Sequence, residues 1–436
     1  MSSSNHHGLT NSAPAASTVR VVARGLARAS LLGCLLSAVA LGGCSSDDGT
    51  SWPKLAVIPL TNPDGAFWGP MLTVGNQSFL VHLDTGSSTT AIAGANCASC
   101  ASVGVSPLYM PSSTAKDQNL TAKSFYADMS GWTGEIYTDN VSLGQGTPSL
   151  SMAITNISDN LMQFFFEANG YQGILGMGAP ALALPHTGTY FNLAEQSGAV
   201  PAMAFELCTD DGTMWLGGFD ATKAASAPVY TTLLPISPAQ PFYSLDVSSM
   251  SLGSTKVASA TDFRTSAGSP IFDTGTTRFY TSQAAVTTTL ATVNALPSFK
   301  TLFGGKQLGT LEADNHGCIT QAGVTAAMVD AMLPALTFTF PSTVTGAADV
   351  SVSVPATDSY ILDVGDNQWC LGIDANPDGT TILGDWFLRG FVSILDLENQ
   401  QVGFAPDVGC ASSSRRRSMR HTTLRPEPLR VRPSHG

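Results

Sequence analysis

Val81-His82-Leu83-Asp84-Thr85-Gly86-Ser87 returns 189 residues further along as Pro270-Ile271-Phe272-Asp273-Thr274-Gly275-Thr276. In each copy a short strand-like run leads into Asp-Thr-Gly and a hydroxyl residue. Each half then carries an apolar-apolar-Gly step, Ile174-Leu175-Gly176 in the first and Ile382-Leu383-Gly384 in the second. A lone Asp-Thr-Gly is ordinary turn chemistry. Two copies, each followed by a matching strand in the same order, mark a duplicated domain that brings one carboxylate from each half to a shared cleft.

Such a pair supports general acid–base chemistry. Two carboxyls within hydrogen-bonding distance cannot both ionise, so they share one proton. The charged member can activate a water while the protonated member donates to a carbonyl oxygen. Gly86 and Gly275 let backbone approach the carboxylates. Thr85 and Thr274 are placed to hydrogen-bond between the halves, and Ser87 and Thr276 to support the outer carboxylate oxygens.

Working outward, short apolar and β-branched runs alternate with Gly, Asn, Asp or Pro turns from Lys54 onward. Leu55–Leu60, Phe79–Leu83, Ile136–Leu143, Met214–Gly217, Leu336–Phe340 and Val350–Val354 read as strands, and Ser282–Val293 and Gly323–Met332 as helices. With 42 Gly, 25 Pro and 43% hydrophobic residues in 436, the expected fold is mostly β, two duplicated β lobes around a cleft. The expected divisions are a signal segment at 1–43, a tether at 44–52, lobes at 53–222 and 223–410, and a basic disordered tail at 411–436.

Charge separates the same segments. Residues 1–43 hold three Arg and no acid, and 411–436 hold seven Arg and one Glu. The remainder carries ten basic and 31 acidic residues. A body this acidic repels nucleic acid, which is excluded as a partner. It also suits an acid-tolerant protein, because with so few bases little of its stability can depend on salt bridges that protonation would break. The Arg-rich tail is either a contact for anionic lipid or an extension without function.

Arg20 to Arg28 followed by apolar Ala29–Gly43 reads as an export signal, too short for a membrane span. Its Leu41-Gly42-Gly43-Cys44 ending resembles a bacterial lipobox, which makes Cys44 a lipidation site. The alternative is ordinary cleavage after Ala38-Val39-Ala40, leaving Cys44 as a free thiol. Parity favours the lipid: without Cys44, six cysteines remain in the exported chain, an even set that suits disulfides. Pairing is open at this level, with 15 possibilities. Cys97-Ala98-Ser99-Cys100 lacks a second such pair or a neighbouring His, so a small structural loop is expected rather than a metal or redox site.

No HExxH, Cys/His cluster, phosphate loop or nucleophile elbow occurs, so neither metal nor cofactor is expected, and no Ser-His-Asp mechanism. His82 shares a strand face with Asp84; packing and a place beside a subsite are both compatible with that. The run Phe164-Phe165-Phe166 has the same two readings.

These motifs resemble the pepsin-like aspartic proteases across nearly all of 53–410. Phe67-Trp68-Gly69 through Asp84-Thr85-Gly86-Ser87-Ser88 is similar to the family's first strand pair and catalytic loop. Ile382-Leu383-Gly384-Asp385-Trp386-Phe387-Leu388-Arg389, Asp396 and Val402-Gly403-Phe404-Ala405 are similar to its C-terminal signature. The resemblance implies a monomeric endopeptidase acting on peptide or protein substrates, with Asp84 and Asp273 as the catalytic pair. It implies a β-hairpin flap at Tyr126–Glu135 with Tyr126 as its tyrosine. It also implies disulfides Cys97–Cys100, Cys208–Cys410 and Cys318–Cys370. The competing expectation is a non-catalytic binding protein on the same fold, against which the two intact Asp-Thr-Gly turns weigh.

Two departures stand out. Many pepsins have a Trp seven residues after the first Asp, bonded to the flap Tyr; here Ala91 stands there. The β-secretase branch likewise has Ala, and a flap similar to Gly131-Trp132-Thr133-Gly134-Glu135, which singles out Trp132. The family also carries a basic pro-segment ahead of its first strand. Between Cys44 and Phe67 lie 22 residues with Lys54 as sole base, so a standard inhibitory pro-segment is not expected. Localisation follows from the signal: exported, at the cell envelope by a lipid anchor or secreted.

Overall fold

The computed structural model describes residues 55–63, 67–144, 147–166, 170–197, 202–207, 211–266, 268–309 and 317–408. The signal segment, the tether with Cys44, Cys208, Cys410 and the basic tail lie outside the described residues.

The strand Gln77–Asp84 alternates as its pattern dictates, with Phe79, Val81 and Leu83 buried on one face. It is second in a seven-stranded sheet ordered Met71–Val74, Gln77–Asp84, Gly173–Gly176, Ala91–Ala93, Leu150–Leu161, Gly131–Ser142, Lys116–Phe125. The second copy builds a smaller sheet ordered Ile271–Phe272, Ile382–Leu383, Phe279–Thr281, Ile373–Ala375.

The two sheets repeat one arrangement. Val81–Asp84 runs parallel to Gly173–Gly176, and Ile271–Phe272 runs parallel to Ile382–Leu383. The strand after each Asp-Thr-Gly turn then pairs antiparallel with that neighbour: Ala91 opposite Ile174, Tyr280 opposite Ile382. Asp84 therefore ends a strand flanked by strands on both sides, while Asp273 directly follows Ile271–Phe272, the edge strand of its sheet.

A six-stranded sheet joins the halves. Ala56–Thr61, Asp211–Leu216 and Ala202–Leu207 continue into Phe391–Asp396, Gln401–Pro406 and Val229–Thr232, with Ala202–Leu207 and Phe391–Asp396 paired antiparallel. Phe205 of the first half stacks near Phe272 of the second, ring centroids 6.0 Å apart. Thr255–Ser259, Ser249–Leu252, Leu336–Phe340 and Val350–Val354 form a further sheet over the second half. The fold is mostly β and two-lobed.

Helix bounds differ from the sequence expectation for capping reasons. Ser282 is an N-cap whose side chain accepts from the Ala285 N–H, so the helix runs Gln283–Ala295. Gly323 has φ +79°, a left-handed turn conformation, so the second helix starts only after Thr325, which caps Ala326–Met332. The Tyr137 strand is also longer than its apolar core: Gly131–Ser142 continues to the tip of a hairpin with Lys116–Phe125.

Candidate active site

Asp84 and Asp273 meet where the two Asp-Thr-Gly turns face each other. The main chain is clasped from both sides. The Thr85 N–H donates to Thr274 Oγ1 at 3.1 Å, and the Thr274 N–H donates to Thr85 Oγ1 at 3.0 Å. Each hydroxyl then donates onward into the opposite half, Thr85 to the Phe272 carbonyl and Thr274 to the Leu83 carbonyl, both at 3.1 Å. All four groups are buried, so the bonds need no competition with water.

The carboxylates are held with the same symmetry. The Gly86 N–H donates to Asp84 Oδ1 and the Gly275 N–H to Asp273 Oδ1, each at 2.8 Å. The Ser87 hydroxyl donates to Asp84 Oδ2, and the Thr276 hydroxyl to Asp273 Oδ2 at 2.6 Å. Both carboxyls are in mutual hydrogen-bond contact.

The glycines explain why the approach is possible. A Cβ on Gly86 would lie 2.5 Å from Asp273 Oδ1, and one on Gly275 would lie 2.1 Å from Asp84 Oδ1. Each turn's glycine thus faces the other turn's carboxylate, and any side chain there would push the pair apart. Burial raises both carboxyls above the usual carboxylate range, and the facing charge of Asp273 raises Asp84 further. The Gly86, Ser87, Gly275 and Thr276 donors work against that rise without cancelling it. An acid and a base are then both available from one buried pair.

The family model described as eukaryotic aspartyl protease matches residues 71–407. The chain belongs to that family. It is an aspartic-type endopeptidase, a hydrolase of peptide or protein substrates. The protease is 31% identical to an aspartic protease of Phaffia rhodozyma over 347 residues, covering 79% of this chain and 77% of the relative. It is 26% identical to penicillopepsin-1 of Penicillium janthinellum over 342 residues, 77% of this chain and 93% of the relative. Secreted aspartic protease 8 of Candida albicans is 27% identical over 372 residues, 80% of this chain and 78% of that one.

The hairpin of Lys116–Phe125 and Gly131–Ser142 is closed by a turn in which the Tyr126 N–H donates to the Ser130 carbonyl, and it brings Tyr126 within reach of the Asp84 charge. Met129 there takes φ +68°. The Trp132 indole N–H donates to the Tyr126 phenol oxygen at 2.9 Å. Trp132 is fully buried, in one apolar cluster with Ala91, Ile136 and Ile174. Phe164 stacks on Tyr126 at 5.2 Å, Phe165 is buried behind it, and Phe166 is exposed. The three rings thus divide between a stack on Tyr126, plain core and solvent.

Burial pushes the Tyr126 phenol well above its usual range, with the nearby Asp84 charge adding to it. Tyr126 therefore stays neutral, a donor as well as an acceptor. His82 packs against Phe67, ring centroids 4.1 Å apart, and desolvation lowers it to about 3 against an opposing pull from the Thr274 backbone. Its place is behind the turns, and packing is what it does there.

Disulfides join Cys97 to Cys100 and Cys318 to Cys370. Cys97 also caps the short helix Ala98–Ser102 by accepting from the Cys100 N–H. Sequence reasoning missed two features of the protease's second half. Arg278, five residues past Asp273, is buried and donates to Asp374 at 2.7 Å while lying 5.9 Å from the Trp386 ring. Tyr280, seven past Asp273, meets the tip of the hairpin. Tyr280 had a signal, since it is the duplicate of Ala91; the Arg278–Asp374 pair had none, being 96 residues apart in sequence.

Proposed function

We propose that Asp84 and Asp273 carry the hydrolysis between them. One proton is shared by the pair at working pH. The charged carboxylate takes a proton from a water, whose oxygen attacks the peptide carbonyl carbon. The protonated carboxyl gives its proton to the carbonyl oxygen, leaving a neutral tetrahedral diol. Collapse of the diol breaks the C–N bond as the carboxyl that took the water's proton gives it to the amine nitrogen and the other carboxylate takes a proton from a diol hydroxyl, so the pair returns to its starting charge. The enzyme forms no covalent intermediate and supplies no cofactor. Tyr126, fixed by Trp132, closes over the substrate backbone. The observation that most supports this reading is the reciprocal fit of Gly86 against Asp273 and Gly275 against Asp84.

The same proposal includes export. The relative named as a secreted protease, the basic-then-apolar start of the chain and its Leu-Gly-Gly-Cys ending support passage out of the cytoplasm with a lipid on Cys44. The likeness of the flap to the β-secretase branch is proposed on Ala91 and Trp132; neither it nor the anchor rests on the relatives above. We read the active form as a monomer, since one chain supplies both carboxylates.

Peptide-library cleavage by the exported protein between pH 3 and 7, beside Asp84→Asn and Asp273→Asn, tests the mechanism. Each variant is expected to lose activity by roughly a thousandfold or more, since a pair acting as one unit fails when either member is lost. Cleavage that survives in both variants would sink it. Mass spectrometry of Cys44 tests the anchor.

A further inference from the structure

The strand that follows each Asp-Thr-Gly turn presents a residue seven positions past its Asp: Ala91 in the first half, Tyr280 in the second. Duplication gives them the same setting, each antiparallel to the Ile of an Ile-Leu-Gly step. Their sizes are opposite. Ala91 lies in one buried cluster with Trp132. Tyr280, 2% exposed, forms a small apolar cluster with Ile382, and Ala127 packs against it. Ala127 is the residue after Tyr126, in the turn that joins Lys116–Phe125 to Gly131–Ser142 of the first half's sheet. The contact therefore runs across the cleft, from flap tip to second lobe.

We propose that Tyr280 is the seat on which the flap closes, a positioning residue for the hydrolysis. The outer flap strand, Lys116–Phe125, buries only Ala122 along its ten residues. Little side-chain packing holds it down, so where its tip rests is set by contacts at the turn. On the first-lobe side the Trp132 bond and the Phe164 stack orient the Tyr126 ring. Both partners belong to the flap's own half and fix nothing about the width of the cleft. The Ala127 contact with Tyr280 does, because it exists only when the tip reaches the second lobe. It adds apolar burial to the closed state and is lost on opening, which biases closure by population. Without it the Tyr126 phenol spends less time over the carboxylates.

The catalytic consequence rests on the mechanism proposed above, whereas flap exchange is read without any activity. Tyr280→Ala is expected to lower kcat/KM about tenfold and to speed amide exchange of the Tyr126–Ser130 turn several-fold, with Trp132 amide exchange little changed. Tyr280→Phe keeps the apolar seat and should stay within twofold of wild type in both. Because Tyr280 is buried, Ala127→Gly removes the other side of the contact from the hairpin tip alone, with an expected threefold loss and faster turn exchange. Folded Tyr280→Ala and Ala127→Gly proteins with wild-type turn exchange would overturn the proposal, as would a Tyr280→Phe loss equal to that of Tyr280→Ala. Faster turn exchange in both, rescued by Tyr280→Phe, supports it even in a preparation that cleaves nothing, a result that would instead count against the mechanism.

Discussion

Trp132 donates its indole N–H to the phenol oxygen of Tyr126 at 2.9 Å, six residues back along the same hairpin. In the mechanism proposed above this bond orients Tyr126, in a chain that has only Ala at position 91. Trp132→Phe keeps a ring in the core but removes the donor. A net hydrogen bond contributes about 1 kcal/mol, so kcat/KM should fall about five- to tenfold. The smaller ring should also cost about 2 kcal/mol of stability. Steady-state kinetics beside urea melts separate the two; unchanged kinetics would mean that the bond does not position Tyr126.

Gly86→Ala and Gly275→Ala each place a methyl within 2.5 Å of the opposite carboxylate. Neither glycine has positive φ, so the cost is crowding, not backbone strain. Each variant should fold with a modestly lowered melting temperature yet lose activity by at least a hundredfold, because the carboxyls can no longer meet. Gly275→Ala, with the closer contact, should be the worse. Near wild-type rates in either would contradict the geometry.

The raised carboxyls make a signed prediction for stability. The native pair holds a proton that the unfolded chain releases above the usual carboxylate pKa, so native stability is greatest in acid and falls as pH rises through the folded values. Asp84→Asn removes one of the two facing charges. Its melting temperature should exceed that of wild type near pH 7, and the gap should close toward pH 3.5. A gap that widens in acid would refute the assignment.

His82 pulls the other way. Its folded pKa is depressed from 6.5 to about 3 by burial, so the unfolded chain binds a proton that the native state refuses, and stability is lost as pH drops below 6.5. At pH 4 the penalty reaches about 3 kcal/mol. His82→Leu should therefore flatten the acid side of the melting profile, with little change at pH 7.5. Equal shifts at both pH values would indicate a packing effect alone.

The two disulfides should differ in worth. Cys318–Cys370 spans 52 residues and Cys97–Cys100 only three. Loop-closure entropy gives about 4 kcal/mol for the first and about 1.5 for the second. Paired Ser substitutions followed by chemical denaturation should show that order.

Much was legible without coordinates. The doubled Asp-Thr-Gly turns, the Ile-Leu-Gly strands behind them and the period-two runs such as Phe79–Leu83 specify a duplicated β protein, because strand alternation and turn chemistry are local properties of a chain. Gly86 and Gly275 were readable as close-approach positions for the same reason. Tertiary structure alone decided what each of them approaches, namely the carboxylate of the other turn. It alone showed that Trp132 shares a buried cluster with Ala91 while bonding Tyr126, and that Tyr280 rather than its duplicate meets the hairpin tip. Arg278 and Asp374, Phe164 and Tyr126, Ala127 and Tyr280 are far apart in sequence, and packing between distant segments leaves no periodic trace. Sequence determined which side chains the chemistry has at its disposal; the crossing of two lobes determined which of them touch.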